Sequence, residues 1–215
     1  MTSPRPLSKA KPLKRPTQAR AKVTVQAVFD AFVRIWQRDG WPRLTTRAVA
    51  LETGIAVGTL YDYFPSKTAL LSGYVRHCIE TLLAEIDRRA VQPPDLAWTE
   101  RLDELVRLCC GVDAPELPWF HRDMLALESE MAEPKHQARA NEELAAAWTR
   151  VFDACTDLPH RPAPHLVRSL HLAVWGGRRY AMLVQLDADA MAGWAADMAR
   201  LCRAAVHTIE RPPAA

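Results

Sequence analysis

The 215-residue sequence contains no uninterrupted apolar run approaching the roughly 18 residues that a membrane-spanning helix requires. Its basic N-terminus is not followed by the apolar stretch of a secretion signal, so the chain reads as cytoplasmic, with no membrane partner. The cysteines Cys78, Cys109, Cys110, Cys155 and Cys202 are odd in number, include no C-x-x-C pair and sit inside apolar helical patterns. That excludes the spacing of a disulfide framework or zinc knuckle and reads as buried thiols. Only the adjacency of Cys109 and Cys110 hints at redox chemistry. The motifs H-E-x-x-H, G-x-S-x-G, G-x-x-x-x-G-K-[ST] and G-x-G-x-x-G are all missing. His160, His165 and His171 lack the i, i+4 spacing that would set two imidazoles on one helix face for a metal. No catalytic residue, metal site or cofactor is therefore expected. Val, Ile and Thr never gather into alternating runs, which argues against a sheet.

What is present is a core-forming composition, 49% hydrophobic, and a lopsided charge. The net charge of +3 conceals a division along the chain. Residues 1–92 hold 15 Lys and Arg against 7 Asp and Glu, and residues 93–215 hold 13 against 18. A basic N-terminal part suits a polyanion-binding module, since Lys and Arg that neutralise phosphates release counterions, although an ordinary solvated surface gives the same count. Residues 1–16 carry Pro4, Pro6, Pro12 and Pro16 with five basic and no acidic residues, a composition that forms neither helix nor core. They read as a flexible basic arm, either a groove or phosphate contact or a plain chain terminus.

From Thr17 to Asp39, Val25, Val28, Phe29, Phe32, Val33 and Trp36 recur at steps of three and four, and Gly40 stops the pattern; this predicts one long amphipathic helix. Thr45 precedes a short periodic stretch (Ala48, Val49, Leu51) ended by Gly54, and a second short stretch runs from Val57 to Phe64 before Pro65. Ser66 is placed to cap a further helix ending near Ala90. The Pro93-Pro94 pair then breaks the chain where its charge changes sign, which places a domain boundary between residues 17–92 and 93–215. Five more helical patterns follow, for about nine in an all-α fold.

Two short helices flanking a glycine turn are the layout of a helix-turn-helix, in which the first helix braces the second and the second lies in the DNA major groove. Ala50 permits the close crossing and Gly54 the left-handed turn, while Val49, Ile55 and Leu60 are expected to point inward. The residues themselves go further. Leu44 to Leu71, and above all Gly58-Thr59-Leu60-Tyr61-Asp62-Tyr63-Phe64-Pro65-Ser66-Lys67, closely resembles the signature of the tetracycline-repressor (TetR) family. The match covers about 30 residues; the rest of the chain fits that family in layout.

The resemblance implies a homodimer with two N-terminal DNA-binding units and a C-terminal helical domain that binds a small molecule and shifts those units apart. By position it sets Thr45 at the N-cap of the bracing helix, near a phosphate, with Arg47 one turn in. Val57, Gly58, Thr59 and Tyr61 open the recognition helix, where they can meet base edges and thymine methyls. Tyr63 and Lys67 match the family's phosphate contacts. Two features stand out: Ala56 where many relatives carry a capping Ser or Thr, and Asp62, an anion that has to face solvent or accept from a cytosine amino group.

In the second half, Trp98, Trp119, Phe120, Met124, Trp148, Phe152 and Trp175 could line a cavity for a bulky hydrophobic or aromatic effector, with His121, His171 or Arg178 orienting it. Each could equally be plain core. The last two helical patterns resemble the pair that makes the family's dimer interface. Gly176-Gly177, costing about 1 kcal/mol each inside a helix, argue for a close crossing, a kink or a break lining a pocket. The expected function is a ligand-released repressor acting on a palindromic operator in double-stranded DNA. An all-α small-molecule-binding protein or enzyme with an incidental basic terminus is the rival, and a nonspecific architectural DNA binder a third possibility.

Overall fold

A computed structural model describes residues 19–128 and 134–208. Among them are nine α-helices and no strand: α1 (Ala19–Arg43), α2 (Thr46–Thr53), α3 (Val57–Tyr63), α4 (Lys67–Ile86), α5 (Trp98–Cys110), α6 (Arg122–Ala126), α7 (Pro134–Ala154), α8 (Pro164–Leu183) and α9 (Ala188–Thr208). The expected all-α architecture is what the chain adopts. The expected basic arm, residues 1–16, lies outside the described residues.

Residue contacts divide the described chain into two compact units, 19–77 with 126–128, and 78–125 with 134–208. In the first, α1 buries Val25, Val28, Phe29, Phe32 and Trp36 along one face, as its spacing predicts, and Ile35, outside that pattern, is buried with them while Val33 is only half-buried. The backbone departs from helical geometry at Gly40 (φ 73°), a left-handed value that an L side chain rarely takes, so the helix proper stops where the pattern stops. The aromatic rings form the core: Phe29 meets Tyr74 at 5.6 Å and Phe64 at 5.7 Å, and Phe32 meets Tyr74 at 5.0 Å and Trp36 at 5.4 Å between centroids. Such pairs contribute about 0.5–1.5 kcal/mol each beyond the area they bury.

The division between the units falls within α4, so Leu82, Ile86 and Ala90 belong to the core of the second unit. There α4 loosens into a single π turn at Asp87–Val91, leaving carbonyls without helical partners. Arg101, 2% exposed, fills that need. Its guanidinium donates to the carbonyls of Ala90 (2.8 Å), Val91 (3.0 Å), Leu96 (3.0 Å), Pro93 and Pro94, and so pins the Pro93-Pro94 turn to α5. An arginine with five N–H donors is the side chain that can serve five carbonyls at once. Asp157 accepts from the backbone N–H of Trp98 at 3.0 and 3.2 Å and closes the N-terminus of the same helix. Helices α5, α7, α8 and α9 pack around Leu102, Leu105, Val106, Leu144, Trp148, Val151, Val174 and Cys202.

The glycine pair in α8 does not break the helix, which is continuous from Pro164 to Leu183. A Cβ on Gly177 would lie 2.5 Å from Trp194 Cζ2 of α9, whereas one on Gly176 would meet nothing within 4 Å. Gly177 is therefore the close crossing, and Gly176 faces outward. Among the described residues no helix is long and apolar enough to cross a membrane.

Candidate nucleic-acid interface

Thr45, extended at φ −133°, caps α2: its hydroxyl accepts from the backbone N–H of Ala48 at 3.0 Å. Leu44 behind it is fully buried, so the cap is seated on the core. Arg47 stands exposed in the first turn. Val49 and Ala50 are buried, and Gly54 (φ 69°, ψ 15°) turns the chain left-handed while its N–H reaches the carbonyls of Ala50 and Leu51. The bracing helix and turn thus form as their residues imply. Leu51 differs from the periodic pattern that includes it: its side chain is 83% exposed, because a helix of eight residues turns only one narrow face to α1. Ile55 is half-buried.

Helix α3 follows without a side-chain cap, Ala56 having no acceptor to offer. Its first-turn N–H groups therefore receive no side-chain hydrogen bond from their own N-cap residue. Leu60 is its one buried residue, with Phe64 just beyond its end. Val57, Gly58, Thr59, Tyr61 and Asp62 are exposed, and Tyr63 is half-buried with its ring 6.3 Å from Phe64. A seven-residue helix held by one leucine gains only about 1.5–3 kcal/mol from that burial, and a polar tie adds to it. The hydroxyl of Tyr61 lies 3.1 Å from Oγ1 of Thr46, a residue only 9% exposed. Thr46 escapes a reading from spacing, since its neighbour Thr45 supplies the cap and nothing in the sequence says which threonine turns inward.

Ser66 caps α4 through the N–H of Ala69 at 3.0 Å. Lys67, in the first turn of that helix, donates from Nζ to the carbonyl of Trp41 at 2.9 Å and sits 4.2 Å from the Trp41 ring centroid. Its charge is thereby fixed beside the turn that leads into α2. On α1, Arg34 and Arg38 pair with Glu52 at 2.8 and 3.4 Å, and Arg38 also with Asp39 at 2.9 Å. These exposed pairs tie α1 to α2 at small energetic value. Neither α2 nor α3 carries an acidic residue in its first turn.

The residues expected to line an effector site all lie in the second unit and divide into groups. Met124, Trp148 and Phe152 are at most 4% exposed and belong to packed interior. Trp98 packs against the core beside Asp157. Trp119 stacks on His121 at 5.5 Å. Arg178 lies over the rings of Trp175 (5.2 Å) and Phe120 (5.5 Å), and Trp148 approaches His171 at 6.1 Å. Nε2 of His171 is 3.0 Å from Oδ1 of Asn141, while its Nδ1 is buried without a hydrogen-bond partner, and the buried Trp148 indole lies against the Cys109 thiol. Burial keeps the His171 imidazole below its ordinary range and pushes the Cys109, Cys110 and Cys202 thiols up to about 12. Protonated thiols at neutral pH do not sense oxidants readily, which argues against the redox hint at Cys109 and Cys110.

Comparison with known proteins agrees with this geometry. Residues 28–73 match the family described as bacterial regulatory proteins, tetR family. The chain is 41% identical over 64 residues to the HTH-type transcriptional repressor KstR of Mycolicibacterium smegmatis, covering 30% of this chain and 31% of that protein. It is 43% identical over 47 residues to the nucleoid occlusion factor SlmA of Haemophilus influenzae, 22% of each. The similarity therefore spans about a third or less of the length of these two relatives. A TetR transcription regulator from Haloarcula marismortui shares the fold, with a TM-score of 0.60 at 19% identity over 85% of this chain and 98% of that one.

Proposed function

Residues 28–73 of this chain belong to the tetR family of bacterial regulatory proteins, and on that premise we propose that the protein is a sequence-specific DNA-binding repressor released from its operator by a small hydrophobic effector. One observation carries the DNA-binding part. Helix α3 turns Val57, Gly58, Thr59 and Tyr61 to the outside, Val57 at 38% and Tyr61 at 44% exposure, while Leu60 alone anchors it. A short helix that leaves its apolar side chains uncovered fits a surface made to be covered by a partner.

In this reading Val57 and Thr59 meet thymine methyls, Gly58 lets the backbone approach, and Tyr61 reaches a base or phosphate. Thr45, Arg47, Tyr63 and Lys67 hold phosphates and set the register. Asp62, being exposed, faces solvent. A palindromic operator calls for a two-fold dimer. On α8, Leu172, Gly176, Tyr180 and Leu183 share one outward stripe, with Leu172 57%, Tyr180 68% and Leu183 53% exposed, and Leu201 of α9 is 61% exposed. We place the dimer contact on this stripe, with Gly176 where the partner helix comes closest.

A mobility-shift assay on DNA flanking the protein's own gene tests the reading. A specific complex that weakens steeply with added salt is expected. Absence of any specific complex at low salt, with and without cell extract, contradicts it. The likeness to a nucleoid occlusion factor keeps a second reading in view, DNA binding without promoter control. A reporter gene unaffected by the protein, alongside a specific complex in vitro, would favour it.

A further inference from the structure

We propose that Arg178 is the anchor for the carboxylate of a hydrophobic acid roughly 10 Å long, the acid's body lying along α8. This deepens the effector reading above and rests on it.

The guanidinium of Arg178 carries a permanent charge. Among the described residues it makes neither an ion pair nor a hydrogen bond, and its contacts are the faces of Trp175 and Phe120. The ionisable groups that act on it are the thiols of Cys78, Cys109 and Cys110 and the like-charged Arg179; no carboxylate is among them. Burial raises the Cys109 and Cys110 thiols to about 12, so they stay neutral and cannot balance the charge. Burial also lowers the pKa of Arg178 itself. A cation partly desolvated between aromatic faces, with no anion supplied among the described residues, is a poor structural element and a good recognition element.

The same face of α8 says how long the acid is. His171, Val174, Trp175 and Arg178 follow one another at i, i+3, i+4 and i+7, so His171 and Arg178 are two turns apart, about 10 Å along the axis. At the far end, His171 Nδ1 is buried and unpaired in a residue 1% exposed. With Nε2 of His171 donating to Asn141 Oδ1, the neutral ring presents a lone pair at Nδ1. That acceptor suits a hydroxyl group on the ligand, whose O–H would donate to it. Trp175 and Phe120 offer the acid's body an aromatic surface next to its charged end.

Thermal unfolding of the full chain tests this without DNA. The probes are decanoate, 2-naphthoate and 4′-hydroxybiphenyl-4-carboxylate at about 1 mM, each beside its neutral amide. At least one acid is expected to raise Tm by about 3 °C or more, its amide much less, and Arg178→Gln should abolish the shift. No shift with any of the three, equal shifts with the amides, or a shift that survives Arg178→Gln overturns the proposal. A second arm needs no ligand. Because the charge is unpartnered, Arg178→Met is expected to leave the ligand-free Tm unchanged or raised, and a fall of several degrees would show that Arg178 holds the fold instead. Acid binding with no effect on a DNA complex would defeat the effector reading while leaving the site intact. Failure to form any DNA complex would defeat the repressor reading and leave these shifts unaffected.

Discussion

The hydroxyls of Thr46 and Tyr61 lie 3.1 Å apart and join the bracing helix α2 to the exposed helix α3, whose only buried side chain is Leu60. Tyr61→Phe keeps the ring and removes the tie. A loss of about 0.5–1.5 kcal/mol in folding stability is expected. A double-mutant cycle with Thr46→Val checks it by urea unfolding: the two changes should couple, whereas additive losses would mean that the hydroxyls act independently.

Arg101 closes the π turn and the Pro93-Pro94 turn through five carbonyls. Arg101→Met leaves those carbonyls buried without donors and should cost about 3 kcal/mol or more, with Arg101→Lys restoring only part. Chemical denaturation reads this directly. A loss under about 0.5 kcal/mol would show that water replaces the guanidinium.

The two glycines of α8 should separate cleanly. Gly177→Ala drives a methyl into Trp194 and should cost about 1–3 kcal/mol. A Cβ at Gly176 meets nothing within 4 Å, so the fold should survive Gly176→Glu, but a carboxylate in the middle of the proposed dimer stripe should convert dimer to monomer in sedimentation. A Gly176→Glu protein that stays dimeric removes that surface from the account.

Burial of ionisable groups in the second unit predicts a stability maximum near neutrality. The His171 pKa is lowered on folding, so its contribution is present above about 6.5 and is lost as pH falls. The Cys109, Cys110 and Cys202 values are raised from 9.0 to about 12, so their contribution is complete below 9 and is lost as pH rises toward 12. Urea midpoints between pH 5 and 10 should fall on both limbs. His171→Phe should flatten the acid limb and Cys109→Ala the alkaline one.

Much of the first unit was legible from residue order because its signals are local. Thr45, Gly54, Ser66 and the apolar steps of α1 act within one or two turns, and each does in the structure what its residue type implies. The all-α fold followed from period alone. What spacing could not reveal depends on distant partners. Thr46 faces Tyr61 across 15 residues, Lys67 reaches Trp41 across 26, and Arg101 serves carbonyls of a turn that no helical pattern announces. Leu51 reads as core by period and is exposed, since α2 is too short to bury a full stripe. In the second unit, periodicity found the helices but could not separate Trp148, buried in the core, from Trp175, which carries a cation on its face.

On the proposed function, a two-fold dimer reads DNA sequence through α3. Selection of bound duplexes from a random pool by the full-length protein tests it most directly. Enrichment of an inverted repeat with half-sites about one helical turn apart, or a multiple of it, is expected, with a changed half-site for Thr59→Ala, while Tyr63→Phe keeps the sequence and only weakens binding. No enriched sequence, or a single motif without two-fold symmetry, would contradict it.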